Sequence, residues 1–342
     1  MLLSKTPFLG LCWALVCSAV AIPLNPRMGT CVDPLKRLEW RQLSSDEKKA
    51  YLDAVICLTT TDAISGIAGT VNRFDDHVAI HSSQATQNHW VGHFNIWHRY
   101  FVATYEKALR EDCGYLGAQP FWDWSLDADP EDLNSTRVFE SEIFSTELGF
   151  GGNGPKVEPT AEDLAIINLE GGTGGGCVQD GPFASPNFVL NYPEPGCLKR
   201  DFIPWVINKH ADPKVVEEVL AQPDYPTYAS VSEGVPINSE LSVHTNGHFG
   251  VGGVLGTIAG TANSPGDPLF YLHHANMDRL YWLWQQRDLE TRLHEVGGPI
   301  TPLDYGGENV TLDFEVNIGP LAGTVTLEQL LNTEGEILCY TY

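Results

Sequence analysis

The chain has 342 residues, of which 44 are acidic and 20 are basic, giving a formal net charge of −24 at neutral pH. A surface this acidic repels nucleic acid and anionic membranes, so both are excluded as partners. About 320 residues remain once the leader described next is removed, which is enough for one or two domains with a sizeable core.

The first 21 residues have the pattern of a secretory signal peptide. Lys5 is their only charge, an apolar run spans residues 8–20, and Ala19-Val20-Ala21 offers a small-residue cleavage site. The run is too short to anchor the protein in a membrane. We therefore predict cleavage after Ala21, a secreted extracellular protein, and a mature chain of residues 22–342 with a net charge of 19 − 44, or −25.

Six cysteines remain in the mature chain, and an even number in an exported protein favours disulfide bonds. None of them forms a Cys-x-x-Cys pair, which argues against a thiolate zinc site. Among fifteen possible pairings we favour one between the termini, one between helices and one closing a loop, namely Cys31–Cys339, Cys57–Cys113 and Cys177–Cys197. Asn134 and Asn309 are glycosylation acceptors, which fits the same exported setting.

Predicted helices alternate with long irregular segments along the chain. Ser44 and Glu47 form a capping box that starts a helix extending through Leu58. Apolar spacing predicts further helices over 71–82, 90–110, 212–220 and 240–248, and a last long one after Pro268. Residues 125–205 are rich in Gly, Pro and Asp, and the glycine run at 171–176 predicts a flexible surface loop. The tail, 307–342, alternates in places like short strands.

Histidines are concentrated in two parts of this helical pattern. Four of the chain's 11 histidines lie between His81 and His98, with His77 just upstream. In the second half, His244 and His248 are four residues apart and so share one helix face. The adjacent pair His273 and His274 follows on the next long helix. Imidazole-only ligation suits copper or zinc, and the Glu-x-x-His motifs of a di-iron site are absent from the sequence.

These motifs resemble those of the type 3 dicopper family, which comprises tyrosinases, catechol oxidases and haemocyanins. The resemblance rests on three stretches: His89-x8-His98-Arg99 with Phe94 inside it, His244-x3-His248, and Phe270-x2-His273-His274-x3-Asp278. It covers most of the mature chain and is closest to the short, secreted fungal tyrosinase-like polyphenol oxidases. It implies a mainly α fold, with a central four-helix bundle that holds a dicopper site, long loops and a few short β-strands.

Carried onto this chain, the resemblance implies three histidine ligands for each of two copper ions. The first set is His81, His89 and His98, and the second is His244, His248 and His274. His77 competes for the first site, but the family places its first ligand nearer the second than this residue lies. His93 is a further competitor, which we interpret as a neighbour of the ligands or a surface residue. Arg99 and Asp278 are expected to form a buried contact that orients both ligand helices.

The family's activity is the oxidation of phenols by O2, with two copper ions as cofactor. The coppers take two electrons from a phenolic substrate and leave an o-quinone, with O2 as co-substrate. Small phenols and O2 are therefore the expected partners of a protein that is a monomer or weak dimer. The resemblance places the ring of Phe270 over the second copper and residues 261–265 at the pocket mouth.

Three positions bear on whether monophenols are hydroxylated. In the family, removal of the phenol proton is tied to a water held by a Glu and by an Asn directly after the first ligand of the second copper. Glu240 can serve as the Glu that holds this water. Thr245, however, stands at the position of the Asn, and Asn246 lies one residue further on. Phe249 stands after His248, where a polar or basic residue would guide the phenol. These departures favour catechols over substituted monophenols, and both over tyrosine.

Other functions stay open on the sequence alone. A haemocyanin-like oxygen carrier would use the same six histidines, but it would shield its coppers with another domain. A full tyrosinase with strong monophenolase activity is a second alternative, whereas a structural zinc site would not explain two matching motifs. Gln87 stands where longer fungal enzymes carry a cysteine that crosslinks to the second ligand, so no thioether is expected. We expect no lid domain after Tyr342.

Overall fold

The computed structural model describes residues 31–234 and 241–342, and within them the fold is mainly helical. Its helices are α1 Ser45–Leu58, α2 Arg73–Gln84, α3 Phe94–Glu111, α4 Ala161–Ile166, α5 Pro204–His210, α6 Pro213–Leu220, α7 Tyr225–Glu233, α8 Val243–Gly252, α9 Leu269–Gln286, α10 Leu289–Arg292 and α11 Leu327–Leu331. Its short strands are β1 Leu35–Lys36, β2 Glu315–Val316, β3 Val325–Thr326 and β4 Tyr340–Thr341. The predicted fold class is confirmed. No helix in the described ranges has the length and apolarity that a membrane span requires. The predicted signal peptide and Glu240 lie outside these ranges.

The helix starts follow the local capping chemistry of the sequence. The Ser44 hydroxyl accepts from the backbone N–H of Glu47 at 3.3 Å, and the Glu47 carboxylate accepts from the Ser44 N–H at 2.8 Å. This reciprocal pairing satisfies two N–H groups that a helix end otherwise leaves free. Asp212 caps α6 in the predicted place. The capping residues Ser44 and Asp212 therefore predict correctly where α1 and α6 begin.

Helix α3 begins at Phe94, four residues later than the apolar spacing predicts. Trp90 has a φ of 55°, which is incompatible with a right-handed helix. Its backbone N–H donates to the Glu233 carboxylate at 2.6 Å, and the N–H of Gly92 donates to the Pro299 carbonyl at 2.8 Å. Contacts with distant parts of the chain therefore hold residues 90–93 outside α3, although the apolar side chains from Trp90 onward repeat at helical spacing.

Helix α8 is also shifted, because it spans Val243–Gly252 instead of the predicted 240–248. Ser242 and Thr245 form a capping box at its start, with the Ser242 N–H donating to the Thr245 hydroxyl at 2.6 Å. The helix continues through Phe249 and Gly250, where the glycines were expected to end it. Burial of this helix outweighs the low helix propensity of its glycines.

The glycine run at 171–176 is partly buried and hydrogen-bonded, whereas the sequence predicts a flexible surface loop. Gly174 and Gly175 are buried, and the N–H of Gly174 donates to the Asp201 carboxylate at 2.9 Å. The N–H of Gly175 donates to the Arg200 carbonyl at 2.7 Å. A Cβ atom at Gly174 would lie 2.5 Å from the Arg200 carbonyl oxygen, and one at Gly175 would lie 2.8 Å from the Leu255 side chain, so these positions have no room for a side chain.

The two ends of the described chain are joined to each other. Strand β1 pairs in parallel with β4, and the first disulfide lies beside this pair. The three predicted disulfides are confirmed: Cys31–Cys339, Cys57–Cys113 and Cys177–Cys197. Such crosslinks stabilise mainly by restricting the unfolded chain.

This pairing leads to a prediction for the purified protein. Alkylation of the unfolded, unreduced protein should add no mass, because the structure pairs all six mature-chain cysteines. The same mass measurement should place the mature N-terminus at or near Ile22. Alkylation after reduction is the positive control and should label all six. A single labelled thiol without reduction would contradict the pairing, and retention of Lys5 would contradict cleavage after Ala21.

Candidate metal centre

Three histidines of the first half of the chain converge in one buried cluster. His81 lies on α2, His89 lies in the loop before α3, and His98 lies on α3. One ligand-capable nitrogen of each lies within 4.8 Å of those of the others. Their ring centroids are separated by 5.3 Å (81 to 89), 5.6 Å (81 to 98) and 5.2 Å (89 to 98). All three are the residues that the sequence motif proposed.

The second cluster holds four histidines instead of the predicted three. They are His244 and His248 on α8 and His273 and His274 on α9. The Nε2 atom of His248 lies 3.0 Å from Nε2 of His244 and 3.2 Å from Nε2 of His274. Three lone-pair-bearing nitrogens at this spacing can be bridged by one cation.

The two clusters are in direct contact through aromatic rings. The rings of His98 and His274 stack with centroids 4.4 Å apart and planes 13° apart. Phe270 is fully buried beside both clusters, 4.2 Å from the ring of His274 and 5.3 Å from the ring of His81. It lies among the ligand rings and does not line the open pocket. The arrangement therefore provides two adjoining sites with an apolar ring between them.

Backbone carbonyls fix the orientation of five of these rings. Nδ1 of each lies 2.7–3.3 Å from a main-chain oxygen, the pairs being His81–Ala262, His89–Ala85, His98–Phe94, His244–Glu233 and His248–Ile258. Donation from Nδ1 leaves the Nε2 lone pair directed into the cluster. Nε2 of His81 and of His98 is buried and has no hydrogen-bond partner among the described residues. Buried polar atoms without partners are costly, so the donor set fits a bound metal ion.

His273 and His274 differ in the hydrogen bonds they make. The indole N–H of Trp124 donates to Nδ1 of His273 at 3.3 Å, which places the remaining ring proton on Nε2. A Cβ atom at Gly247 would lie 2.1 Å from the same Nδ1, so His273 packs directly on α8. Nδ1 of His274 has no partner among the described residues, and its Nε2 faces His248. These contacts favour His274 as the ligand.

Burial keeps the clustered histidines neutral, as metal ligation requires. It lowers the pKa of His89 and of His248 to about 4. Burial and neighbouring imidazoles lower the pKa of His81, His98 and His274 well below the usual value. The imidazoles therefore present lone pairs instead of positive charges at neutral pH.

The two competing histidines lie outside both clusters. His77 is fully buried, with Nδ1 at 3.0 Å from the Arg73 carbonyl and its ring against Tyr105. His93 precedes α3, where Nε2 lies 3.0 Å from the Gln87 carbonyl and the ring packs on Phe314 at 4.6 Å. Both therefore have structural contacts of their own.

A buried ion-pair network joins the two ligand helices behind the clusters. Nε of Arg99 on α3 donates to the Asp278 carboxylate on α9, as the resemblance implied. Arg37 donates to the same carboxylate at 3.2 Å, and the Tyr342 hydroxyl donates to it at 2.6 Å. Burial opposes ionisation of Asp278, but the two guanidinium groups outweigh it and lower the pKa of that carboxyl. The ligand helices are thus held in register from behind.

A cavity of about 540 Å³ leads from solvent to the histidine clusters. It reaches His89, His244 and His248, and Thr245 and Phe249 line its sides. Thr261 and Ser264 lie along it, in the segment expected at the pocket mouth. A small molecule can therefore approach ligands of both clusters at once.

Glu233 is a pocket residue that the sequence did not reveal. It is 4% exposed, and its carboxylate accepts from the backbone N–H of Trp90 at 2.6 Å. Its backbone carbonyl accepts from the Ser242 hydroxyl at 2.7 Å. Burial raises the pKa of the Glu233 carboxyl well above its usual range. No ligand spacing marks this residue, because its position follows from the packing of α7 against α8.

The site thus defines a class: a helical protein with two adjoining clusters of buried, neutral imidazoles beneath an open pocket. Its residues 71–287 match the family model described as the common central domain of tyrosinase. The chain belongs to the tyrosinase family, whose members oxidise phenols at a dicopper site, and the buried histidine clusters fit copper binding.

Individual relatives agree with this assignment. The tyrosinase-like protein phomQ1 of Diaporthe leptostromiformis is 33% identical over 357 residues, covering 97% of this chain and 82% of that protein. Tyrosinase P of Aspergillus terreus is 32% identical over 344 residues, covering 91% and 93%. A polyphenol oxidase from Thermothelomyces thermophila, solved as a point variant, superposes with a TM-score of 0.76 at 32% identity, covering 90% and 88%.

Proposed function

We propose that this protein oxidises o-diphenols to o-quinones with O2 at two copper ions. The ligands are His81, His89 and His98 for one ion, and His244, His248 and His274 for the other. The observation that carries the proposal is the pair of neutral histidine clusters meeting at the inner end of one open cavity. The bound coppers supply O2 activation and accept the two electrons of the phenol.

The residues around the clusters prepare the site for an aromatic substrate. The carbonyl contacts of Nδ1 hold the imidazoles in place before any ligand arrives. Phe270 is fully buried and packs against a ring of each cluster. The ring of Phe249 and the side chain of Leu241 give the cavity apolar walls against which a phenol ring can pack.

Deprotonation of a monophenol is the step for which this site is least equipped. The hydroxyl of Thr245 accepts from the Ser242 N–H at 2.6 Å, so it serves the helix cap. The amide of Asn246 is buried away from the cavity and has no partner among the described residues. Glu240 lies outside the described residues. We propose Glu233, which lines the cavity, as an equal candidate for the residue that takes up the proton of the phenol. A catechol needs less help because it already carries both oxygens.

Substrate range provides a direct test of this argument. The unmodified enzyme should oxidise catechol much faster than it hydroxylates tyrosine. Thr245→Asn should raise the ratio of monophenol to catechol turnover roughly tenfold, about the effect of one added hydrogen bond in the transition state. Thr245→Val is the matched control, since it removes the hydroxyl without adding an amide, and its ratio should stay low. Equal rates on tyrosine and catechol in the unmodified enzyme would refute the argument.

The remaining alternatives differ in a simple readout. An oxygen carrier would bind O2 without converting an added catechol, and a structural zinc protein would bind neither. The open cavity that reaches His89, His244 and His248 favours an enzyme, because a carrier must shield those ligands. Addition of catechol to copper-loaded protein should therefore give quinone absorbance. Secretion to an oxidising compartment is part of the same proposal and is supported by the three disulfides.

A further inference from the structure

One wall of the cavity is formed by a segment that packs on little else. This segment, residues 158–169, is called the arm below, and it contains α4. No side chain of α4 is buried, and Ile166 is 88% exposed. Nevertheless Ile166, Ile167 and Leu169 all line the cavity above the histidine clusters. The arm therefore directs apolar side chains towards the route a substrate takes.

The arm is fastened at both of its ends. Before it, the N–H of Val157 donates to the Gly174 carbonyl at 2.7 Å. After it, the indole N–H of Trp205 donates to the Glu170 carbonyl at 2.9 Å. A capping box of Thr160 and Asp163 starts its short helix. These attachments keep the apolar side chains of the arm beside the cavity, although the side chains of α4 are not themselves buried.

The other apolar lining and the charge of the cavity indicate what the arm can bind. Trp90, Leu241 and Phe249 face the cavity and are apolar. Among the described residues that line the cavity there is no lysine or arginine, and Glu233 is the one acidic residue. A substrate carboxylate would thus meet no cationic side chain in the cavity, within a protein whose net charge is −24. An uncharged substrate avoids this repulsion.

We propose that the arm binds the apolar substituent of an uncharged phenol, so that the preferred substrates are neutral catechols carrying alkyl or aryl groups. The inference rests on the proposed function, because the inner end of the same cavity is the histidine site. The phenol ring sits against that site while its substituent packs between Ile166 and Leu169 on one side and Phe249 on the other. Burial of exposed Ile166 and of the partly exposed Leu169 and Phe249 by the substrate supplies the binding energy.

Binding to the copper-free protein tests the arm without relying on catalysis. Calorimetry with 4-methyl-, 4-ethyl-, 4-propyl- and 4-butylcatechol should show Kd falling about two- to fourfold per added methylene. The anion 3,4-dihydroxybenzoate should bind at least about tenfold more weakly than 4-methylcatechol, for lack of a cation to pair with. The double variant Ile166→Ser/Leu169→Ser should lose most of this dependence on chain length. Leu116→Ser is the matched control, because Leu116 is 89% exposed and lies outside this cavity.

The outcomes separate the arm from the proposed function. The same chain-length dependence in the double variant as in the wild type, or none in the wild type, would overturn the role of the arm. If the dependence is present but copper-loaded protein oxidises no catechol, the proposed function fails and the binding role stands. Where both hold, kcat/KM of the loaded enzyme should rise along the series in the wild type and in Leu116→Ser, and stay flat in the double variant.

Discussion

Replacing His98 or His274 by alanine should abolish catechol oxidation and lower the copper content from about two ions to about one per chain. Each change removes one of the three imidazoles that we assign as ligands to an ion, from a cluster whose nitrogens lie within 4.8 Å of one another. The fourth histidine of the second cluster, His273, is held against Trp124 and Gly247. His81→Ala should act in the same way on the first cluster. Two imidazoles hold the ion too weakly for it to survive purification, and both ions are needed for a two-electron oxidation.

Two other buried histidines provide the controls for this prediction. His77→Ala and His93→Ala each remove an imidazole that lies close in sequence to the ligands but outside the clusters. Both variants should keep two coppers even where they lose some stability. Elemental analysis and quinone formation check each variant. Loss of copper from His77→Ala together with its retention in His81→Ala would show that the first ligand has been assigned to the wrong residue.

Asp278→Asn should destabilise the protein by about 3–5 kcal/mol, since buried Arg99 loses its carboxylate partner and buried Arg37 keeps only its pair with Glu106. Arg99 and Arg37 both donate to this carboxylate, and the side chains of both are fully buried. The melting temperature should fall by about 10 °C or more. Copper should be held less well in the same variant, because the pair fixes α3 and α9 relative to each other.

A surface ion pair serves as the comparison. Asp53 pairs with Lys49 at 2.7 Å, with both side chains about two-thirds exposed at 64% and 66%. Asp53→Asn should therefore cost less than about 1 kcal/mol. Denaturant unfolding of the copper-free proteins measures both changes. A similar stability for the two variants would mean that the buried network does not hold the ligand helices.

Much of the fold and the ligand set could be predicted from the sequence. The capping box at Ser44 and Glu47 located α1, and apolar spacing located α2 and α9 to within a few residues. The spacing of His244 and His248 predicted a shared helix face, which the structure has. These features depend on neighbours along the chain, which is why a sequence reveals them.

Features that depend on distant contacts were missed. The bend at Trp90 is held by Glu233, a residue 143 positions away. The same packing brings Glu233 into the cavity, although no spacing relates it to the ligands. The sequence predicts the arm only as part of a Gly- and Pro-rich region, because the role of its apolar residues depends on the cavity that they line. His273 lies in the second cluster because it packs against Trp124 and Gly247, both of which are distant from it in sequence.

Two triads of histidines are proposed to hold two copper ions that oxidise catechols. The most direct test is elemental analysis of the purified, active protein, paired with quinone formation in the same sample. We expect two coppers per chain, no zinc, and quinone formation that disappears on chelation and returns with added copper. One copper per chain in fully active protein, or activity with zinc alone, would contradict the claim.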